Sequence, residues 1–502
     1  MVKGGRENMY VIGLDVGTTG TKALVVDRAG KIIGHGYQGY GTISKSDGVV
    51  EQNAKEWWMA AVHAIGEACK AVDKSKIKAI SLSTQGASSV LVDREYQTIG
   101  NAITWMDKRA YQEAKELLEE FGEEYFYKKS GWSLSANLDA CKLLWLKKHR
   151  TEDLERASKF ISTLEYMNYC LVGKYVIDPT NAAIRQLMDI TNNKWEKEIL
   201  DYIGVEEELL PTIKKTGDYL GHLSDSAALE LGLSTQVKVY NGAHDQYCCA
   251  LGSGSVKNGD FLLGTGTAWA IMSITEKPLF TDTKISPARH VIPELWGALS
   301  SISCGGISLD WWRNIVSQFN YEEIDRFAEE NMARDMRIMF FPYFTGAGTP
   351  LCNTSARGTF TGLELRHTAK DMALAIMEGV VFHTALIIEE YKRNGAKIGD
   401  LRVMGGAVKS KPWIQILQSV LDCKVVKVNQ RDAAAMGAAI IAAVGCGMQI
   451  NYQEAAENMV SYEVTDDIPE AWKLFYHKKF EKYKKQWEHI KEIYKEEGEI
   501  ND

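Results

Sequence analysis

Cysteine and proline are both scarce, nine of each in 502 residues. The cysteines are scattered: Cys248 and Cys249 are adjacent, Cys446 stands alone, and no C-x-x-C pair or Cys/His group at zinc spacing occurs. This excludes a zinc ribbon and a thioredoxin-like dithiol. An odd, dispersed set of thiols predicts reduced, buried side chains in a cytoplasmic protein rather than a disulfide framework. A basic excess is also missing. Lys and Arg number 58 against 66 Asp and Glu, a formal net charge of −8, which argues against nonspecific binding to nucleic acid or to an anionic membrane surface. The opening octet MVKGGREN has no apolar core, so no signal peptide is expected there. The apolar run AAAMGAAIIAAVGCGM is short of the ~20 residues that span a bilayer, and its Ala and Gly content predicts a helix packed closely inside the protein. No G-x-x-x-x-G-K-[ST] segment occurs, which excludes a P-loop.

What remains is a long chain of ordinary globular composition. Five hundred residues exceed what one core supports, so two large domains are expected. The runs YVIGLD, KALVVD and KIIGHG read as three strands joined by Gly-containing turns. NAKEWWMAAVHAIGEACKAV reads as a helix capped by Asn53, IKAISLSTQ and SVLVD as strands, and a charged helix should start near Asp107. This order predicts a mixed sheet with helices packed on it. Residues 143–231 read as mostly helical. VKVYNGAHDQYCCALGSG then reads as strand, turn and helix, and GDFLLGTGTAWAIMS as a second strand–turn–strand that echoes the first. LRVMGGAVKSKPWIQILQSVL is a strand, a Gly-rich turn and a helix; residues 468–497 form a charged amphipathic helix packed on the surface.

The opening turn, Gly17-Thr18-Thr19-Gly20-Thr21 after Asp15, admits three readings. A dinucleotide site needs G-x-G-x-x-G before a helix; here the glycines at 13, 17 and 20 are wrongly spaced and a strand follows. A plain tight hairpin with Asp15 capping the turn is the bland reading. The third is a hairpin that embraces phosphate, with small residues admitting the anion, backbone N–H groups and Thr hydroxyls donating, and a terminal carboxylate holding Mg²⁺. The second hairpin, LLGTGTAW, shifts the balance to the third reading, because two such turns in two halves could clasp one nucleotide. The Gly405-Gly406 turn before a helix could seat an adenine ring.

These three elements, in this order, resemble the FGGY carbohydrate kinases over nearly the whole chain. The stretch CKLLWLKKH from Cys141 is similar to one family signature, with Asp139 where the pattern carries Pro, Ser or Thr. GTFTGLELRHTAKDMALAIME, Gly358 to Glu378, matches the second in full. AITWMDKR after STQGASSVLVD is similar to the sugar-binding region of the xylulokinase-type branch. There are two departures. Gly86-Ala87-Ser88 follows Gln85 where that branch carries Met-His-Gly, which removes an imidazole and opens the pocket. Gly346-Ala347-Gly348-Thr349-Pro350 stands for the family's Gly-Glu-Arg-Thr-Pro.

The resemblance implies an α/β, two-domain actin/Hsp70/hexokinase-like (ribonuclease H-like) fold with mixed sheets and an interdomain cleft. Residues 1–246 would form the sugar-binding N-terminal domain and 247–502 the nucleotide-binding C-terminal domain. It implies ATP-dependent phosphorylation of a terminal sugar hydroxyl, D-xylulose first, with L-ribulose, glycerol and gluconate as alternative acceptors. ATP and Mg²⁺ are the expected cofactors, and a homodimer the expected assembly. Asp245 takes the role of catalytic base, in competition with a reading in which it only N-caps the helix QYCCAL. Gln85, Trp105, Asp107, Arg109 and Gln246 are the expected sugar contacts. Thr18, Thr19, Gly264, Thr265, Gly266 and Thr267 fall on the phosphates, Gly405, Gly406 and Lys409 on the adenosine, and Asp15 on Mg²⁺. A reading of another class is an actin- or chaperone-like ATPase switch without sugar chemistry, which would turn over ATP without an added sugar.

Overall fold

The computed structural model describes residues 9–45, 48–316, 319–421, 423–430 and 432–500. The N-terminal octet lies outside the described residues. The chain forms two compact units, each discontinuous in sequence. Unit 1 is Met1–Val256, Ser286–Gly297 and Asp432–Val460; unit 2 is Lys257–Ile285, Ala298–Arg431 and Ser461–Asp502.

Unit 1 opens with β1 (Tyr10–Val16), β2 (Gly20–Asp27) and β3 (Ile32–Gly39), an antiparallel meander. α1 (Ala54–Ala68) follows, and Asn53 caps it by accepting from the Lys55 N–H at 3.1 Å, as its sequence predicts. β4 (Ile77–Thr84) pairs parallel to β1, and β5 (Tyr219–His222), β6 (Lys238–Tyr240) and β7 (Ala243–His244) complete the sheet. The strand order is β5-β6-β4-β1-β2-β3, with β7 also parallel on β4. The sheet is therefore mixed. β1 is central: Val11, Ile12, Leu14 and Val16 are all buried, as expected of a strand covered on both faces. Register sets the site. Asp15 lies opposite Ser83, and Ser83 lies opposite Ala243, so three parallel strands end at one level. Ligands in α/β sheets bind outside such carboxyl ends. α2 (Asp245–Gly252) starts there.

The charged helix expected near Asp107 begins at Tyr111 instead; Asp107 is committed to an ion pair with Arg109. The predominantly helical stretch from 143 to 231 also contains short two-residue strands, such as Val176–Ile177 and Met188–Asp189.

Unit 2 repeats the same plan. β8 (Phe261–Thr265) and β9 (Trp269–Thr275) form a hairpin, and β10 (Trp296–Ile302) lies beside β9. α3 (Ile307–Val316) and α4 (Ala369–Arg393) follow. β11 (Leu401–Gly405) pairs parallel to β8, and β12 (Val425–Val428) parallel to β11. The order β10-β9-β8-β11-β12 matches β3-β2-β1-β4-β6 of unit 1. α4 carries the second family signature. Thr368 and Asp371 close a reciprocal capping box at its start. Among the described residues it is the one helix long and apolar enough to cross a membrane, yet it is the buried central helix of the unit 2 core.

Between β12 and the last elements the chain returns to unit 1 as α5 (Ala433–Gly445), the Ala/Gly run. It packs backbone to backbone, as its composition predicts. A Cβ on Gly13 of β1 would lie 1.9 Å from the Ala435 carbonyl, and one on Gly437 would lie 2.0 Å from the Cys248 carbonyl of α2. The helix thus clamps the strand bearing Asp15 and the helix bearing Asp245. The terminal helix α6 (Glu470–Ile500) is more deeply packed than a surface helix. Tyr476, Phe480, Tyr483, Trp487, Ile490 and Tyr494 are buried at helical spacing, and Lys479 pairs with Glu378 of α4 at 2.5 Å. The thiols also depart from expectation in part: Cys69, Cys141, Cys248 and Cys304 are buried and unbridged, whereas Cys352 is exposed.

Candidate active site

In unit 1 the site is built on the ends of β1, β4 and β7. Asp15 accepts from Ser83 Oγ at 2.8 Å. Burial raises its carboxyl to about 6 against an ordinary 3.8; Ser83 and Lys22 oppose the rise, and the negative charges of Asp245 and Asp432 add to it. Lys22 stands opposite Asp15 across the hairpin and pairs with Asp432, at the start of α5, at 3.2 Å. Burial works against the Lys22 ammonium, but Asp432 and Asp15 outweigh it and hold its pKa above the ordinary value. Among the described residues no three His, Cys, Asp or Glu side chains form a metal cage. One desolvated carboxylate without a cage suits Mg²⁺, which keeps waters and shares substrate phosphates.

Asp245 is not the helix cap. It is the first residue of α2, and the cap is His244, whose Nδ1 accepts from the Gln246 N–H at 3.3 Å. The bland role predicted for Asp245 is thus filled by its neighbour. The Asp245 carboxylate is about one-third exposed, with His244 Nδ1 3.3 Å from its Oδ1. The ring also occupies the space that Gly86 was expected to open: a Cβ there would lie 2.5 Å from His244 Cδ2 and 2.8 Å from Nε2. An imidazole therefore stands against the Gly86 turn, contributed by a different strand. Gln246 is half-buried on the first turn of α2.

The Gly17–Gly20 hairpin closes with the Gly17 N–H donating to the Gly20 carbonyl at 3.1 Å, leaving Thr18 and Thr19 at its tip. Thr18 Oγ1 accepts from Trp105 Nε1 at 3.1 Å, which leaves its own proton to give. Trp105 is 41% exposed, so an indole face is open to a ligand. Thr19 is exposed.

Asp107 and Arg109 depart from expectation. They do not stand open to a sugar. Asp107 is buried, and its oxygens accept from the Val50 N–H at 2.6 Å and from the Arg109 N–H, Nε and Nη2 at 2.9, 2.9 and 2.7 Å. Arg109 also reaches Glu51 at 2.6 Å and lies 5.0 Å from the centre of the Trp145 ring. Burial alone would raise the Glu51 carboxyl, but Arg109 and Asn101 hold it below its usual value. These charges brace the loop that carries Trp105.

The family departure at Asp139 has a physical reason. Asp139 is buried and accepts from Ser89 Oγ at 2.6 Å and Arg185 Nε at 2.5 Å, with Lys142 Nζ 3.6 Å away. Arg185 also meets Glu165 at 3.1 Å. Lys142, which burial lowers to about 8, donates to the Ala87 carbonyl at 2.5 Å. The signature helix so holds the loop after Gln85, where Ala87 adopts φ 47°.

In unit 2 the two Gly turns, 140 residues apart in sequence, are neighbours. Thr265 and Gly405 are register partners of β8 and β11. Thr265 is buried and its hydroxyl is committed: Oγ1 donates to the Met404 carbonyl at 2.6 Å and accepts from the Ala407 N–H at 3.0 Å. It is a staple between the turns rather than an open phosphate donor. Gly405 has φ 95°, and a Cβ there would lie 2.5 Å from the Thr265 carbonyl, so a side chain is excluded twice over. Gly266, Thr267, Gly405, Gly406 and Lys409 are exposed; Gly264 is half-buried within β8. Sequence reasoning missed Gly306-Ile307, whose amides anchor the second hairpin: Gly306 N–H donates to the Gly266 carbonyl at 3.1 Å and Ile307 N–H to the Thr267 carbonyl at 3.2 Å. It also missed Lys22, Ser83, Gln52 and Asp432. A Lys in register with Asp15 was the one legible signal among them.

Comparison with known proteins agrees with this arrangement. Residues 10–252 match the N-terminal domain, and 261–446 the C-terminal domain, of the FGGY family of carbohydrate kinases. The chain belongs to that family and is an ATP-dependent sugar kinase. It is 29% identical over 489 residues to a xylulose kinase of Bacillus subtilis, covering 96% of this chain and 98% of the relative. It is 27% identical over 465 residues to a gluconokinase of the same organism, covering 90% of each. A ligand-bound xylulose kinase from Lactobacillus acidophilus superposes with a TM-score of 0.90 at 26% identity, covering 97% of this chain and 99% of that one.

Proposed function

We propose that this kinase transfers the γ-phosphoryl group of ATP to the terminal CH₂OH of a small neutral ketose, with D-xylulose the first choice. The observation that carries the reading is the state of Asp245: it sits at the strand ends with Asp15, and His244 has relieved it of helix capping. It is thus a carboxylate available as base.

The terminal hydroxyl of the sugar attacks the γ-phosphorus. The new C–O–P bond forms, the bond from γ-phosphorus to the β-bridging oxygen breaks, and the hydroxyl proton passes to Asp245. Asp15 would hold Mg²⁺ at the end of β1, and the ion when bound would supply charge neutralisation on the phosphates. The tip of the first hairpin, Thr18 and Thr19, and that of the second, Gly266 and Thr267, donate to phosphate oxygens. Gly405 and Gly406 accept the adenosine against bare backbone, with Lys409 at the edge. The exposed Trp105 face takes the C–H side of the sugar, and Gln85 and Gln246 take hydroxyls. Asp107 and Arg109 hold Trp105 in place. The reaction belongs in the cytoplasm, where ATP is supplied.

The likeness to a gluconokinase favours a second reading, a sugar acid as acceptor. A panel of ketoses, polyols and sugar acids, assayed for acceptor-dependent ADP release, decides between them. Equal ATP turnover with and without every acceptor would refute the kinase chemistry and favour the ATPase switch. A tenfold advantage of gluconate or glycerol over D-xylulose in kcat/KM, about 1.4 kcal/mol in transition-state binding, would refute xylulose alone.

A further inference from the structure

Gln52 is 1% exposed, and both the nitrogen and the oxygen of its carboxamide are engaged. Nε2 donates to the Thr18 carbonyl at 2.6 Å. Oε1 accepts from Trp57 Nε1 at 3.1 Å and from Gln85 Nε2 at 2.9 Å. These partners permit only one orientation. A backbone carbonyl can only accept and an indole N–H can only donate, so Gln52 must turn its NH₂ to Thr18 and its oxygen to Trp57. That oxygen in turn requires the NH₂ of Gln85; a flipped Gln85 would set oxygen against oxygen. The carboxamide of Gln85 is thereby fixed with Oε1 as its free acceptor. Gln85 is itself 1% exposed, and Oε1 has no partner among the described residues. A buried acceptor left unmet costs on the order of 1–3 kcal/mol. Gln85 directly follows β4, whose last residues lie in register with Asp15 on one side and His244 on the other. The unmet oxygen therefore belongs to the same strand ends as the proposed base.

We propose that Gln52 is a positioning residue that locks Gln85 Oε1 as an acceptor for one substrate hydroxyl, so that the site demands an O–H donor at that place. A bare carbon leaves Oε1 unmet. A carboxylate has no proton to give at neutral pH and brings charge against an oxygen lone pair. Gln52 also holds Thr18, so one side chain sets both the sugar acceptor and the tip of the phosphate hairpin.

This inference rests on the sugar-kinase reading, and its test separates the two. The probes are D-xylulose and its 1-deoxy, 3-deoxy and 4-deoxy forms, assayed by ADP release. Absence of turnover with every sugar and polyol tried refutes the kinase reading. Given turnover, wild type should lose at least ~30-fold in kcat/KM on one deoxy form, as a site built around a hydroxyl does. In Gln85→Met that loss should shrink to within ~3-fold, because the acceptor is gone. Gln52→Met should shrink it too, by freeing Gln85 to turn. Gln52→Glu keeps an oxygen for Trp57 and Gln85 but loses the donor to the Thr18 carbonyl, so it should keep the deoxy discrimination while overall turnover falls through the displaced hairpin tip; a merely structural role for Gln52 would lose both together. Thermal unfolding identifies any variant that fails to fold, and Gln85→Met then decides alone. The proposal is overturned if wild type penalises no deoxy form by more than ~3-fold, as when a buried water serves Oε1, or if the penalty persists in Gln85→Met.

Discussion

Replacing Asp15 with asparagine should make the protein more stable and less active, and the stability gain should depend on pH. Asn keeps an oxygen for Ser83 Oγ and removes only the charge. In the folded chain burial raises the Asp15 carboxyl to about 6, above its ordinary 3.8. Between these values the native state binds the proton and the unfolded chain does not, so wild-type stability falls as pH rises. Below the unfolded value both states are protonated and the penalty vanishes. Above the folded value it is complete. At about 1.36 kcal/mol for each pH unit between the two values, the penalty is about 1.5 kcal/mol at pH 5 and about 3 kcal/mol at pH 8. Urea unfolding of wild type and Asp15→Asn at the two pH values measures the difference directly. Asp15→Asn should be the more stable protein at both, with the gap about 1.5 kcal/mol wider at pH 8. A variant no more stable than wild type at pH 8, or a gap that narrows with rising pH, would refute the electrostatic account of this carboxyl. The same variant should weaken Mg²⁺-dependent turnover while leaving sugar binding largely intact.

Asp245→Asn should fold, bind ATP and lose at least ~100-fold in sugar phosphorylation, as removal of a general base does; steady-state kinetics and nucleotide titration check both halves. Thr265→Val should raise KM for ATP by about tenfold with little change in KM for sugar, because it frees the Gly405 turn and leaves the buried Ala407 N–H unmet at a cost of ~1–3 kcal/mol. Gly437→Ala should destabilise the fold by ~1–3 kcal/mol, since the new methyl group would fall 2.0 Å from the Cys248 carbonyl and push α5 off the helix of Asp245. A melting temperature equal to wild type would show that α5 can shift without loss.

The strand–turn–strand devices, the Asn53 cap, the close-packed Ala/Gly helix and the family signatures were legible because they depend on local patterns. An alternation of apolar residues, a cap residue or a Gly at a turn acts over a few positions, and the sequence displays those positions side by side. The repetition of one sheet plan in both units was legible for the same reason, through the second Gly-Thr hairpin. The catalytic assignment of Asp245 needed the family likeness, because a lone Asp before a helix is as easily a cap. Only the tertiary structure showed that His244 does the capping. Asp107 and Arg109 read as sugar ligands because they are charged and close to Trp105, but the backbone N–H of Val50 and the carboxylate of Glu51, both more than 50 residues away, consume them. Thr265 read as a phosphate donor until β11 was seen beside it. The same holds for Gly86: its missing side chain predicted a void, and β7 fills that void with an imidazole. In each case the sequence determined which groups exist and which local element carries them. Whether a polar group is left over for a ligand depends on how many partners it already has, and in a buried site those partners arrive from strands and helices that only the fold brings within hydrogen-bonding distance.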